Sequence, residues 1–243
     1  MSEVQDLLAS ITSENNCLTP TLLYNEGWLV KLVIRAAAGG IDCLPFSFEP
    51  QSRWFSEALL HSAFPGSEGT THADCVIGHF SFGHQTKAGT LLESTCSQLV
   101  VCEAKMSSGL SSGTSRARDF DQAARSVASM AKALSRCKLP VDSYRSLGFY
   151  VLAPASQIHR GVFSEHMTKV GIKRKLTDRA AMHRDEAHYE ELAQWLQDWA
   201  LPLVDKMDLA CFSWEDAIKR ISAADASYGA SLAEFYALCL RYN

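Results

Sequence analysis

The apolar run beginning at Leu99 ends in Glu103-Ala104-Lys105, and the chain then passes into a Ser/Gly loop, Ser107–Ser115. Residues two apart on a strand share a face. Glu103 and Lys105 therefore project together, with Val101 and Leu99 continuing that face inward. Alone, the two charges describe a rim ion pair of small worth. Two further acids change that reading. Asp74 stands at the start of the preceding apolar run, where a carboxylate adds nothing to a core. Around a helix of 3.6 residues per turn, Leu22, Leu29, Val30, Val33 and Ala37 all fall within about 60° of Glu26. A lone carboxylate in such a core-facing stripe costs several kcal/mol unless a cation offsets it, whether a paired Lys or Arg or a metal ion. Three acids and a lysine from separate segments suit a hard cation, Mg²⁺ with Mn²⁺ as its substitute. Beside it, a lysine can orient or help deprotonate an attacking water while the metal polarises the electrophile.

The elements that must position these residues follow from patterning. Thr19-Pro20 opens a helix running to about Ala38, where Gly39-Gly40 stops it. A helical segment is expected over Gln51–His61, then a turn at Pro65-Gly66. Strands are expected over Ala73–Phe82, over Thr90–Thr95 and in the run ending at Lys105. Arg116 to about Cys137 is amphipathic, with Phe120, Ala124, Val127, Ala131 and Leu134 at helical spacing. Leu147–Pro154 has the composition of a strand buried on both faces. Helices follow over Gln157–Val170 and Thr177–Met207, with a short strand at Leu209–Phe212. Ser213-Trp-Glu-Asp216 resembles a capping box, and Leu232–Tyr242 is helical. These elements describe an α/β fold, a mixed β-sheet flanked by helices with a helical C-terminal extension. Residues 1–156 form the α/β core, and 157–243 a mostly helical part packed on it as one domain.

Asp74, 28 intervening residues, then Glu103-Ala104-Lys105 resembles the PD-(D/E)XK nuclease superfamily, with its restriction-endonuclease-like core. Glu26 on an upstream helix and Gln122 on the following one extend the resemblance over about residues 20–155. Ala73 replaces the proline of the name. The resemblance implies Mg²⁺-dependent hydrolysis of phosphodiesters, by a deoxyribonuclease of restriction, phage-defence or repair type. Asp74, Glu103 and the Ala104 carbonyl would bind the metal, and Glu26 would support it or a second ion. Lys105 would position the water, and Gln122 would orient groups at the centre. Alternatives are a nuclease-fold module that binds or assembles without cutting, and a ribonuclease on the same scaffold.

On the helix after the loop, Arg118, Gln122, Arg125, Ser129, Lys132 and Arg136 fall within an arc of roughly 80°. With Arg116 and the loop residues Ser107 and Ser108, this stripe is a candidate track for a phosphate backbone, DNA before RNA. A plain solvated face is the competing explanation. Lys169, Lys173, Arg174, Lys175 and Arg179 read as a solubilising run. In His183-Arg-Asp-Glu-Ala-His188 the histidines sit about 140° apart on a helix; with neither HExxH nor HxxEH present, they read as surface residues. The net charge of −4 over 243 residues gives no global attraction to polyanions. Eight cysteines without a CxxC pair argue against zinc or disulfides and for a reducing cytoplasm. The N-terminus lacks the features of a signal peptide, and no window reaches the length of a membrane span. A homodimer and a multi-protein defence assembly both remain open.

Overall fold

The computed structural model describes residues 19–64, 70–82, 89–113 and 117–243. Arg116 and the turn expected at Pro65-Gly66 lie outside the described residues. Pro20–Leu23 forms α1 and Glu26–Ala38 forms α2, two helices where one was expected. The break is local: Asn25 is extended and its side chain caps α2 by accepting from Trp28 N. Strands β1 (Arg53–His61), β2 (Thr70–Gly78), the short pair β3 (Phe80–Phe82) and β4 (Thr90–Leu92), and β5 (Gln98–Ala104) follow. Then come α3 (Gln122–Cys137), β6 (Ser146–Ala153) and the short α4 (Ala155–His159). Helix α5 (Lys169–Ala181) precedes α6 (Tyr189–Trp195), which runs through a π turn at Leu196–Ala200 into α7 (Leu201–Lys206). Strand β7 (Asp208–Ser213) and helices α8 (Trp214–Ala224) and α9 (Ala226–Tyr242) complete the chain.

Five strands form one mixed sheet in the order β1-β2-β5-β6-β7. β1, β2 and β5 pair antiparallel, while β5, β6 and β7 are parallel. β5 is central and buried throughout, as a strand covered on both faces must be. Leu99 and Val101 enter the core shared with α3, α5, α6 and α7. Val100, Cys102 and Ala104 enter the opposite core, shared with α2, α8 and α9. The molecule is thus an α/β sandwich with a helical layer on each face. The C-terminal helices contribute to both layers, and β7 extends the same sheet.

The sequence expectation fails at Gln51–His61, which is not helical: Arg53–His61 is the edge strand β1. Its apolar residues are not spaced by two, because Phe55, Ala58 and Leu60 all pack into the same core. The strand changes face at Glu57, whose φ of 56° lies in the left-handed region. That change of face imitates the spacing of a helix. Helix α3 also begins later than expected, at Gln122, with Asp121 as its cap. The two long C-terminal helices expected are broken: α4 ends at His159 and α5 at Ala181, with turns over 182–188.

Candidate active site

Pairing of β2 with β5 runs from Gly78↔Leu99 to Cys75↔Cys102 and stops there. One step further, Asp74 and Glu103 meet across the ladder. Asp74 turns its carboxylate onto the free backbone of β5, Oδ2 accepting from Ala104 N at 2.7 Å. The N–H and C=O of a strand residue point to the same side, so the Ala104 carbonyl opens toward Asp74. Lys105 N is committed the other way, to Leu152 O on β6 at 2.8 Å.

Glu103 has no exposed surface. Oε2 accepts from Gln122 Nε2 at 2.6 Å, and Oε1 accepts from Ser126 Oγ at 3.2 Å. Lys105 Nζ stands 3.8 Å from Oε2. Burial, and next the adjacent Asp74 charge, hold the Glu103 carboxyl well above the usual carboxylate range, against the smaller opposing pull of Lys105. Asp74, Glu103 and the Ala104 carbonyl are hard oxygen donors of the kind Mg²⁺ or Mn²⁺ takes, and a divalent cation would relieve the burial of Glu103 beside a second acid. The donor set therefore fits such an ion.

Gln122 is fixed at both ends. Its N–H donates to Ser111 O at 2.9 Å, its Oε1 accepts from Ser111 N at 3.3 Å, and its Nε2 reaches Glu103. Arg125 joins the same loop through Ser111 Oγ at 2.7 Å. The end of the strand is held from behind, where Trp214 Nε1 donates to Lys105 O at 2.9 Å.

The structure thus brings Asp74, Glu103, Ala104, Lys105 and Gln122 together. Glu26 differs from expectation. It is the first residue of α2 and only half-buried, not the middle of a buried stripe, because the helix starts there. No hydrogen bond or ion pair joins it to Asp74 or Glu103 among the described residues, and its charge instead raises the Cys239 thiol, after burial as the main cause. A carboxylate in a helix's first turn is favoured by the free N–H groups there.

The basic stripe is narrower than expected. Arg118 lies before α3 and is exposed, and Ser129 is buried. Lys132 and Arg136 line a separate cavity of about 260 Å³ with His61 and Leu91. Ser107 and Ser108 are exposed on the loop. The supposed solubilising run is only partly in solvent. Lys173 Nζ pairs with Asp205 Oδ1 at 2.5 Å, and Lys169 Nζ donates to Asp205 O at 2.8 Å. Lys175 is drawn inward to the buried cap Asp121, which also meets His166 Nδ1 at 2.5 Å. A cavity of about 450 Å³ opens beside that cap, lined by Arg118, Arg174, Lys175 and Arg179 together with Asp119, Asp121 and Asp178.

Two residues at the site were not anticipated. Ser126 follows Gln122 by one helical turn, so an i, i+4 reading of α3 from Gln122 finds it. Glu57 lies opposite Asp74 in the register, between Ser56↔Cys75 and Ala58↔Ala73. Its carboxylate stands beside the start of α2, where a Cβ added to Gly27 would be 3.9 Å from Oε1. With β1 read as a helix, nothing marked Glu57. The cysteines are free among the described residues, and burial pushes the thiols of Cys43 and Cys211 up to about 11, which makes them poor nucleophiles.

No protein-family model, curated protein or solved structure matches this chain.

Proposed function

We propose that the chain is a divalent-metal-dependent nuclease of the PD-(D/E)XK kind, acting on DNA before RNA. The observation that carries this reading is the convergence of Asp74, Glu103 and Lys105 where β2 and β5 part. Asp74, Glu103 and the Ala104 carbonyl would hold the ion, which when bound supplies Lewis-acid polarisation of the scissile phosphate and charge neutralisation. Lys105, whose side chain is 12% exposed, would hydrogen-bond the attacking water and favour its loss of a proton. Gln122, clamped between Ser111 and Glu103, keeps the Glu103 carboxylate turned toward the ion. Ser126 fixes the other Glu103 oxygen. The cavity beside Asp121 begins one residue from Gln122 and carries Arg118 and Arg174, and it supports a phosphate backbone approaching from the N-terminal end of α3.

The test incubates the full chain with supercoiled plasmid, linear duplex, single-stranded DNA and RNA, in Mg²⁺, Mn²⁺ or chelator. Metal-dependent cutting is expected, reduced at least about 100-fold in Lys105→Ala, the scale of a lost acid–base or water-positioning group. The reading fails if no substrate is cut with either metal, or if Lys105→Ala cuts like the parent. Cutting of RNA alone assigns a ribonuclease. Binding without cutting assigns a binding or assembly module.

A further inference from the structure

Away from the acid pair, the turn between α5 and α6 gathers His183, Glu186 and His188. One ligand atom from each lies within 4.8 Å of the others. His183 Nδ1 stands 3.0 Å from Glu186 Oε1, and His188 Nε2 stands 3.3 Å from Glu186 Oε2. Donor atoms around tetrahedral zinc, with bonds of roughly 2.0–2.1 Å, are about 3.3 Å apart, and each imidazole stands about that far from an oxygen of Glu186. The chain makes this possible by ending α5 at Ala181. A continuous helix would have set the two imidazoles on different sides.

A second observation points to a ligand. His183 is only 4% exposed, and its Nε2 has neither a hydrogen bond nor an ion pair among the described residues, while its Nδ1 and His188 Nε2 face only the Glu186 carboxylate. Buried polar atoms left this way are uncommon and costly. The His183 ring is held in place from its apolar side, stacked on Phe64 with centroids 5.8 Å apart and planes at 18°. The His188 ring lies 5.5 Å from it. A preset imidazole, a second imidazole and one carboxylate form a mixed nitrogen and oxygen set, the donor chemistry of Zn²⁺, which with three protein ligands takes water in its fourth position.

We propose that His183, Glu186 and His188 bind one borderline divalent cation of the Zn²⁺ class, clipping the α5–α6 turn closed. The site is independent of Asp74 and Glu103 and does not rest on the nuclease reading. Its imidazoles disfavour Mg²⁺, which prefers oxygen alone. The clip lies on the helical layer that covers α3 and presents Lys175 to Asp121.

The proposal is tested on the full chain by calorimetric titration with Zn²⁺ in excess Mg²⁺, and by the visible spectrum of the Co²⁺-loaded protein. The expected result is one Zn²⁺ per chain that Mg²⁺ does not displace. The Co²⁺ form should show ligand-field bands without thiolate charge transfer. His188→Ala and Glu186→Gln should each weaken Zn²⁺ at least about 100-fold, beyond the 10–100-fold typical of outer-shell changes. Both positions are more exposed than His183, so these variants keep the test open if His183→Ala does not fold. Failure of the parent to bind Zn²⁺, unchanged affinity in both variants, or a thiolate band would each overturn the proposal.

Discussion

Glu103 and Asp121 are both buried carboxylates, and their surroundings push them in opposite directions. For Asp121, burial alone raises the carboxyl, but the Ala124 N–H, Lys175 and His166 together outweigh it and hold it below its ordinary value. Folding then favours the ionised form. Its contribution is complete above the unfolded value of 3.8 and is lost as pH falls through the folded one. Asp121→Asn leaves Lys175 without its anion and should cost about 3 kcal/mol at neutral pH, with a flatter loss of stability in acid. Denaturant melts against pH read both effects. Glu103 behaves the other way, because folding retains a proton that the unfolded chain releases above 4.5. Without metal, stability should therefore fall as pH rises from that point toward the raised folded value. Glu103→Gln should remove the decline and stabilise the metal-free protein at neutral pH by about 1 kcal/mol or more, while abolishing cleavage. Thermal unfolding without metal checks the first effect, and a cleavage assay in Mg²⁺ the second.

At the scale of elements, the site depends on places where regular structure stops. β2 leaves β5 after Cys75, which frees Ala104 N for Asp74. β1 changes face at Glu57, directly opposite. A non-glycine residue held in the left-handed region costs roughly 1–3 kcal/mol. Glu57→Gly should therefore raise stability by about 1 kcal/mol, as measured by denaturant melts. A fall of similar size would mean that Glu57's side-chain contacts outweigh the strain. The same irregularity marks the limit of what patterning reveals. β5 and β6 were legible because they are buried on both faces and read as unbroken apolar runs. Ser213 was legible because its side chain accepts from Asp216 N, as a helix cap does. β1 was not, since one residue of left-handed backbone turns period two into a pattern closer to a helix. Glu26 was misplaced for a related reason: the Asn25 cap divides α1 from α2 and moves Glu26 from mid-stripe to a helix start. Asp74, Glu103 and Lys105 were legible because each charged group sits where its neighbours are apolar, and Gln122 only through the resemblance, which implies an amide near the start of the following helix. Glu57 and the Trp214 bond to Lys105 O were not, since both depend on pairings that only the folded chain makes.

Over the whole molecule, the mixed sheet explains why residues so far apart in sequence meet. The antiparallel step from β2 to β5 brings Asp74 beside Glu103, and the crossover through α3 to parallel β6 lays Gln122 and Ser126 over Glu103. The C-terminal segments complete this arrangement. β7 extends the sheet, α8 supplies Trp214 behind Lys105, and α5 supplies Lys175 to the cap of α3. No helix among the described residues is long and apolar enough to cross a membrane. With a net charge of −4, polyanion contact falls to local groups such as Arg118 and Arg174 rather than to the field of the whole protein. The central claim is that the acid pair is a divalent-metal site, and crystals soaked in Mn²⁺ test it most directly by anomalous scattering. One Mn²⁺ is expected between Asp74 and Glu103, within coordination distance of both carboxylates and the Ala104 carbonyl. Crystals with Mn²⁺ bound only elsewhere, or with none between Asp74 and Glu103 at saturating metal, would contradict it.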